Sequence, residues 1–321
     1  MLNMADVGPG WEGRGIASGV PVRARCIRCL HGVAGRLLAV IALAVLPQVV
    51  LAPWFGYAHA AIGLDRDGGP YVPTPQPVVE AMLRMARVGP DDFVVDLGSG
   101  DGRVVVTAAR EFRARALGVD VDQELVTRSA EAARAAGVAT RAAFVVQDMF
   151  LAPVRDATVV TLYVLPNMMT RLRPKLLAEL RPGSRIVSHD FLFEEWPPDA
   201  SEVMDAPEKR PFNSEGKARL YLWIVPAAVG GAWEGRANDA VLRLSLEQNA
   251  SALRGSVEWK GGRAPIAEAV VQGTDIRFEF ESAGVRHSFS GRVSGDRLEG
   301  EVVVPGEARA VPWRVQRVRG R

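Results

Sequence analysis

Val94-Val95-Asp96-Leu97-Gly98-Ser99-Gly100-Asp101-Gly102-Arg103 reads as a β-strand that ends in a glycine-rich turn and opens a helix. Glycine at such a junction lets a ligand approach the backbone, and the first turn of the following helix offers unpaired N–H groups. A dinucleotide fingerprint would place its third glycine three residues after the second. That position is Arg103, and Gly102 comes one residue early, which argues against a nicotinamide cofactor.

Outward from this turn, short apolar runs alternate with stretches of helical period. Strands are expected at Phe93–Val95, Leu117–Val121, Ala143–Val146, Thr158–Val164, Arg185–Ser188 and Leu220–Val225, and helices at Arg103–Phe112, Gln123–Ala136 and Met168–Leu180. Such alternation implies βαβ units, hence a doubly wound α/β sheet with helices on both faces. After Gly230-Gly231 the period changes from 3.6 to 2, as in Leu242-Arg243-Leu244-Ser245-Leu246 and Ile276-Arg277-Phe278-Glu279-Phe280. Seven or eight short antiparallel strands follow from that pattern, either closed as a small meander barrel or flattened as a sandwich. Gly-x-Val recurs at Gly255, Gly291 and Gly300, which suggests hairpins repeating one geometry, and Trp233 and Trp313 are placed to meet at a seam. The chain thus divides into a leader (1–62), an α/β domain (63–228) and an all-β domain (229–321).

Three acids close three successive strands: Asp96, Asp120 and Asp148. Open α/β sheets bind ligands in the crevice at the carboxyl ends of their strands, where all three point. The D-x-G-x-G-x-G pattern resembles motif I of the class I S-adenosylmethionine-dependent methyltransferases. That resemblance implies S-adenosyl-L-methionine as cofactor, held by Asp96, Gly98, Gly100, Asp101, Gly102, Asp120 and Asp148. Asp96 would sit near the ammonium, Asp120 would accept the ribose hydroxyls, and Asp148 would face the adenine amino group.

The Asp/Asn-Pro-Pro-aromatic motif common among nucleic-acid and glutamine N-methyltransferases is missing; the fourth strand instead runs into Thr161-Leu162-Tyr163-Val164-Leu165-Pro166-Asn167. Together with Tyr71-Val72-Pro73-Thr74-Pro75-Gln76 and the Leu180–Phe191 segment LRPGSRIVSHDF, this resembles the family of the ATP synthase c-subunit lysine N-methyltransferase and its bacterial relatives. The similarity runs from Tyr71 to Pro198 and leaves the β domain outside. It implies a protein-lysine acceptor, with Tyr71, Pro73 and Thr74 on the substrate side. Tyr163 is the candidate to border the acceptor slot or else an ordinary packing residue; His189, with Asp190, is either a base or part of a structural hydrogen bond.

Thirty-nine basic against 37 acidic residues give +2, so no global field recruits nucleic acid, and none is expected as partner. Cys26 and Cys29 lack a second ligand pair, so no metal site is expected. Leu37 to Leu64 carries no charge, follows Arg23, Arg25, Arg28 and Arg36, and ends near the small-x-small pattern Ala58-His59-Ala60. It is read as a signal peptide or a membrane anchor, placing the protein at or beyond the membrane of a bacterial cell envelope. The side of the membrane stays open, because an exported domain would be cut off from cytoplasmic cofactor. Two other functions fit the same residues: an exported or anchored ligand-binding module that retains the fold, and a small-molecule methyltransferase.

Overall fold

The computed structural model describes residues 71–306 and 309–318. The leader, the Cys26/Cys29 pair and the expected cleavage or anchor segment lie outside the described residues. Among those described, no helix is long and apolar enough to cross a membrane.

The first part of the described chain is a seven-stranded sheet in the order β3-β2-β1-β4-β5-β7-β6. Its central strands β1 (Phe93–Leu97), β2 (Arg115–Asp120), β3 (Ala142–Val146), β4 (Val159–Leu162) and β5 (Arg185–His189) run parallel. Alternate residues of β1 serve the two faces. Val94 packs in a core with helices α1 (Gln76–Met85) and α2 (Arg103–Glu111), whereas Val95 and Leu97 pack in a second core with α4 (Pro166–Glu179). Helix α3 (Gln123–Ala135) adds Ala133 to the first core and starts where the Asp122 side chain accepts from the Glu124 and Leu125 N–H groups.

One edge of the sheet runs antiparallel. Strand β7 (Lys217–Ile224) pairs antiparallel with β5, and β6 (Ala200–Asp205) antiparallel with β7. Sequence periodicity missed β6 because an edge strand has little to bury: only its Met204 is even partly covered. The loop joining β6 to β7 lies at the carboxyl end of β5 and holds a short 3₁₀ turn, Pro207–Lys209.

Beyond Val225 the chain forms a closed antiparallel meander. Strands β8 (Gly231–Ala237), β9 (Ala240–Asn249), β10 (Ala252–Trp259), β11 (Gly262–Pro265), β12 (Ala267–Gln272), β13 (Asp275–Ser282), β14 (Val285–Ser294), β15 (Arg297–Val303) and β16 (Val311–Arg317) follow in chain order. Strand β16 pairs with β8, β8 with β9 and β9 with β10, closing the ring. β11 and β12 lie end to end, with the register shifting inside β12, so they act as one bent stave of an eight-stave barrel. The barrel alternative therefore holds over the sandwich.

The interior is filled rather than hollow: Trp233, Trp259, Phe278, Phe280, Phe289 and Trp313 share one core with leucines and valines. The Gly-x-Val recurrence marks places where strands close on each other. A Cβ at Gly255 would lie 1.8 Å from the Ser245 carbonyl oxygen, and one at Gly300 2.0 Å from that of Ser290. Trp233 and Trp313 do sit on neighbouring strands, but Trp233 lies opposite Arg317, whose guanidinium covers its ring at 4.2 Å, while Trp313 packs on Phe289.

Candidate active site

The glycine turn after β1 is built around three left-handed glycines, Gly98, Gly100 and Gly102, at φ 82°, 53° and 76°. The N–H groups of Gly98 and Ser99 both donate to the Val119 carbonyl at 2.8 and 3.0 Å, which binds the turn to the end of β2. Space excludes side chains as firmly as conformation does. A Cβ at Gly100 would stand 2.5 Å from the Tyr71 ring, and one at Gly102 2.6 Å from Phe144.

Asp96 lies at this turn, 5% exposed, accepting a 2.6 Å hydrogen bond from the Thr161 hydroxyl of β4. Burial pushes its carboxyl up to about 7; the Thr161 bond opposes this, and the charges of Asp120 and Asp101 add to it. At the end of β2, one carboxylate oxygen of Asp120 accepts the Gly100 N–H at 2.8 Å and the other the Asp122 N–H at 2.9 Å. Each oxygen thus retains a lone pair for a further donor. Asp148 follows β3, is exposed, and accepts from the Phe150 N–H at 2.9 Å.

Asp101 takes a different part. Arg103 grips it through Nε at 2.9 Å and a terminal nitrogen at 2.5 Å, and the Tyr71 hydroxyl also bonds to it. Burial raises the Asp101 carboxyl, but the bond and charge of Arg103 outweigh it and hold it below the ordinary carboxylate value. Arg103 also donates to the Thr74 carbonyl at 2.8 Å. This pair therefore ties the 71–74 segment to the turn. Burial, with the Asp101 charge, lifts the Tyr71 hydroxyl to about 12.

The other side of the site carries the aromatic rings of Tyr163 and Phe191. Tyr163, just past β4, stacks on His189 at 4.0 Å between centroids and faces Phe191 at 6.1 Å. Burial and the Asp190 charge lift the Tyr163 hydroxyl to about 12, so it stays protonated at neutral pH. His189, the last residue of β5, has no exposed surface. Its Nδ1 lies 3.1 Å from the Thr74 hydroxyl and its Nε2 2.9 Å from the Lys209 ammonium. Burial drives the His189 pKa down to about 4; Asp190 opposes this and Lys209 adds to it.

The structure thus brings Asp96, Gly98, Gly100, Gly102, Asp120 and Asp148 to one end of the sheet, with Tyr71, Pro73, Thr74, Tyr163 and His189 bordering them. Two partners escaped the sequence reading. Thr161 was legible in principle, since it faces Asp96 in the β1–β4 register. Lys209 was not: within Pro207-Glu208-Lys209-Arg210 it looks like a solvated loop lysine, yet it is 3% exposed.

Residues 96–200 match the ANTKMT methyltransferase domain. A protein-lysine N-methyltransferase of Saccharolobus islandicus is 45% identical over 130 residues, covering 40% of this chain and 81% of that enzyme. The ATP synthase c-subunit lysine N-methyltransferase of Mus musculus is 38% identical over 132 residues, and the chain spans about half of its length (52%) and 40% of its own. Among solved structures, an RNA methyltransferase from Salinibacter ruber with bound S-adenosyl-L-homocysteine is 43% identical, covering 49% of this chain and 96% of that one at a TM-score of 0.45. On the match to the archaeal enzyme together with the domain match, the chain belongs to the ANTKMT methyltransferase-domain family of S-adenosylmethionine-dependent methyltransferases.

Proposed function

We propose that the protein transfers methyl groups to a lysine amine of a membrane-associated protein. The observation that carries this reading is the acceptor side: a Tyr163 ring without charge, backed by a histidine whose two nitrogens are already engaged. The donor set suits the cofactor. Buried Asp96 would meet its ammonium, the spare lone pairs of Asp120 its ribose hydroxyls, and Asp148 its adenine amino group. When bound, the cofactor supplies a methyl on a sulfonium whose sulfide leaves without acid assistance.

What remains for the chain is to hold a neutral amine in line and exclude water. Desolvation of the acceptor beside the Tyr163 and Phe191 rings would lower its pKa, and the proton would leave to solvent before the N–C bond forms. We assign His189 no proton transfer, because it is fully buried and both its ring nitrogens are bonded within the protein.

Two features support an acceptor at a membrane. One is the uncharged run from Leu37 to Leu64, which ends seven residues before Tyr71. The other is the distribution of exposed large apolar side chains on the described α/β part. Tyr71, Val121, Val146, Leu151, Leu165, Leu192 and Phe212 all lie at the carboxyl end of the parallel strands, and only Val203 lies elsewhere. Large apolar side chains gathered at one rim mark a contact surface.

The test incubates the full-length protein with labelled S-adenosylmethionine and membranes of its own host, then locates the label by mass spectrometry. Label on a protein lysine is expected. Label only on nucleic acid, lipid or a small metabolite overturns the acceptor and leaves the cofactor assignment standing.

A further inference from the structure

Behind the Tyr163 ring lies a charged group that methyl transfer does not consume. Lys209 is 3% exposed in a three-residue turn, its ammonium paired with the Asp190 carboxylate and 5.9 Å from the Tyr163 ring centre. A buried ammonium is costly unless it is paired and hydrogen-bonded. The chain commits backbone to supplying that pair. Asp190 adopts φ 66°, a left-handed conformation that few residues other than glycine, asparagine and aspartate take readily, and its other oxygen accepts the Arg219 N–H at 3.1 Å.

We propose that Lys209 is a positioning residue: with Asp190 it fixes His189 as a single neutral tautomer, and that ring in turn holds Thr74 and Tyr163 at the acceptor side. The inference rests on the acceptor-side reading above. A lysine ammonium has donors only. Its 2.9 Å contact therefore makes Nε2 of His189 the acceptor, which puts the ring proton on Nδ1. Nδ1–H then donates to the Thr74 hydroxyl at 3.1 Å. Thr74 is held from its other side by Arg103, and Gln76 bonds Thr107 of α2 at 3.0 Å, so the segment is pinned at three points.

Four groups face His189: Asp190 from just past its own strand, Lys209 from the 3₁₀ turn, Thr74 from the amino-terminal segment and Tyr163 from just past β4. Only the first two carry charge, and they are of opposite sign. Removing Lys209 leaves Asp190 to attract a proton to the ring.

The chain has four histidines, so imidazole ¹⁵N spectra of the full-length protein can be assigned by substitution. For the native chain, His189 should show Nδ1–H with Nε2 as acceptor across pH 5 to 8. In Lys209→Met that signature should be lost and the ring should protonate above pH 5. Turnover should fall at least about tenfold, while cofactor affinity stays within about twofold, a kcat-type split that a general packing defect would not give.

Should Lys209→Met fail to fold, Thr74→Val cuts the same chain at its other end: Lys209 still makes Nε2 the acceptor, so the Nδ1–H tautomer should persist while turnover falls and cofactor affinity is retained, and turnover within twofold of native would overturn the proposal. A native His189 protonated at Nε2, Lys209→Met turnover within twofold of native, or equal loss of turnover and cofactor affinity would each overturn the proposal. The tautomer is read without any acceptor, so a failure of the lysine assignment and a failure of this one are separately visible.

Discussion

The α/β part and the barrel spend their interiors differently. Of the buried polar side chains among the described residues, Thr74, Asp96, Ser99, Thr107, Ser129, Thr161, Ser184, Ser188, His189 and Lys209 lie in the α/β part and only His287 in the barrel. The barrel keeps its charges outside, as cross-strand pairs such as Arg243 between Glu234 and Glu258, and fills its inside with packed aromatics. Exposed pairs of this kind add little stability, whereas close-packed rings add much. The barrel is thus organised for cohesion. The α/β part gives up cohesion at one end of its sheet to hold a buried acid, a buried lysine and left-handed backbone.

If that division is real, damage to the two interiors should read out separately. Phe278 is 1% exposed and stacks on Phe289 at 4.8 Å. Phe278→Ala should cost about 3 to 5 kcal/mol of barrel stability, the usual range for a deleted core aromatic. Scanning calorimetry should show the loss, while titration calorimetry finds S-adenosylmethionine affinity within twofold of native. A parallel fall in affinity would break the comparison and make the barrel part of the site.

Asp96 should show the opposite behaviour, a residue that weakens the fold in order to bind. Its pKa rises from 3.8 in the unfolded chain to about 7 in the fold. The associated stability is fully present below pH 3.8 and lost as pH rises through 7, on the order of 4 kcal/mol once the acid is ionised. Asp96→Asn should therefore remove much of the fall in melting temperature seen for the ligand-free protein between pH 5 and pH 8. A bound cation favours the ionised acid, so native affinity for S-adenosylmethionine should climb with pH up to about 7 and then level, and the variant should lose that slope. A native melting curve unchanged between pH 5 and 8 would contradict both.

The two parts were also unequally legible. Strands β1 and β4 announce themselves because each is largely buried and its sequence is a near-continuous apolar run. The place of Asp96 and Asp120 beside the glycine turn was legible because each closes a strand of the sheet. Lys209 was not, since its burial depends on His189 and Asp190, about twenty residues upstream at the end of β5. In the barrel, period-2 alternation separates inside from outside residues but is the same for a barrel and a sandwich. Closure depends on the first strand, β8, pairing with the last, β16, a contact that no local pattern encodes.

The finest test of the division compares two acids at the same bend. Asp120 and Asp122 both accept backbone N–H groups, Asp120 from Gly100 and Asp122, Asp122 from Glu124 and Leu125. Their roles differ in what remains for a ligand. Asp120 has one oxygen on each of two N–H groups and lies at the strand end facing the glycine turn, whereas Asp122 spends Oδ1 on the first turn of α3. Asp120→Ala should weaken S-adenosylmethionine binding by about 1 to 3 kcal/mol, through loss of charge-assisted hydrogen bonds. Asp122→Ala should cost about 1 kcal/mol of stability, as loss of a helix cap does, and leave affinity within about twofold. Equal effects of the two substitutions on affinity would mean that the bend acts only by holding its shape, and the assignment of the ribose hydroxyls to Asp120 would fall.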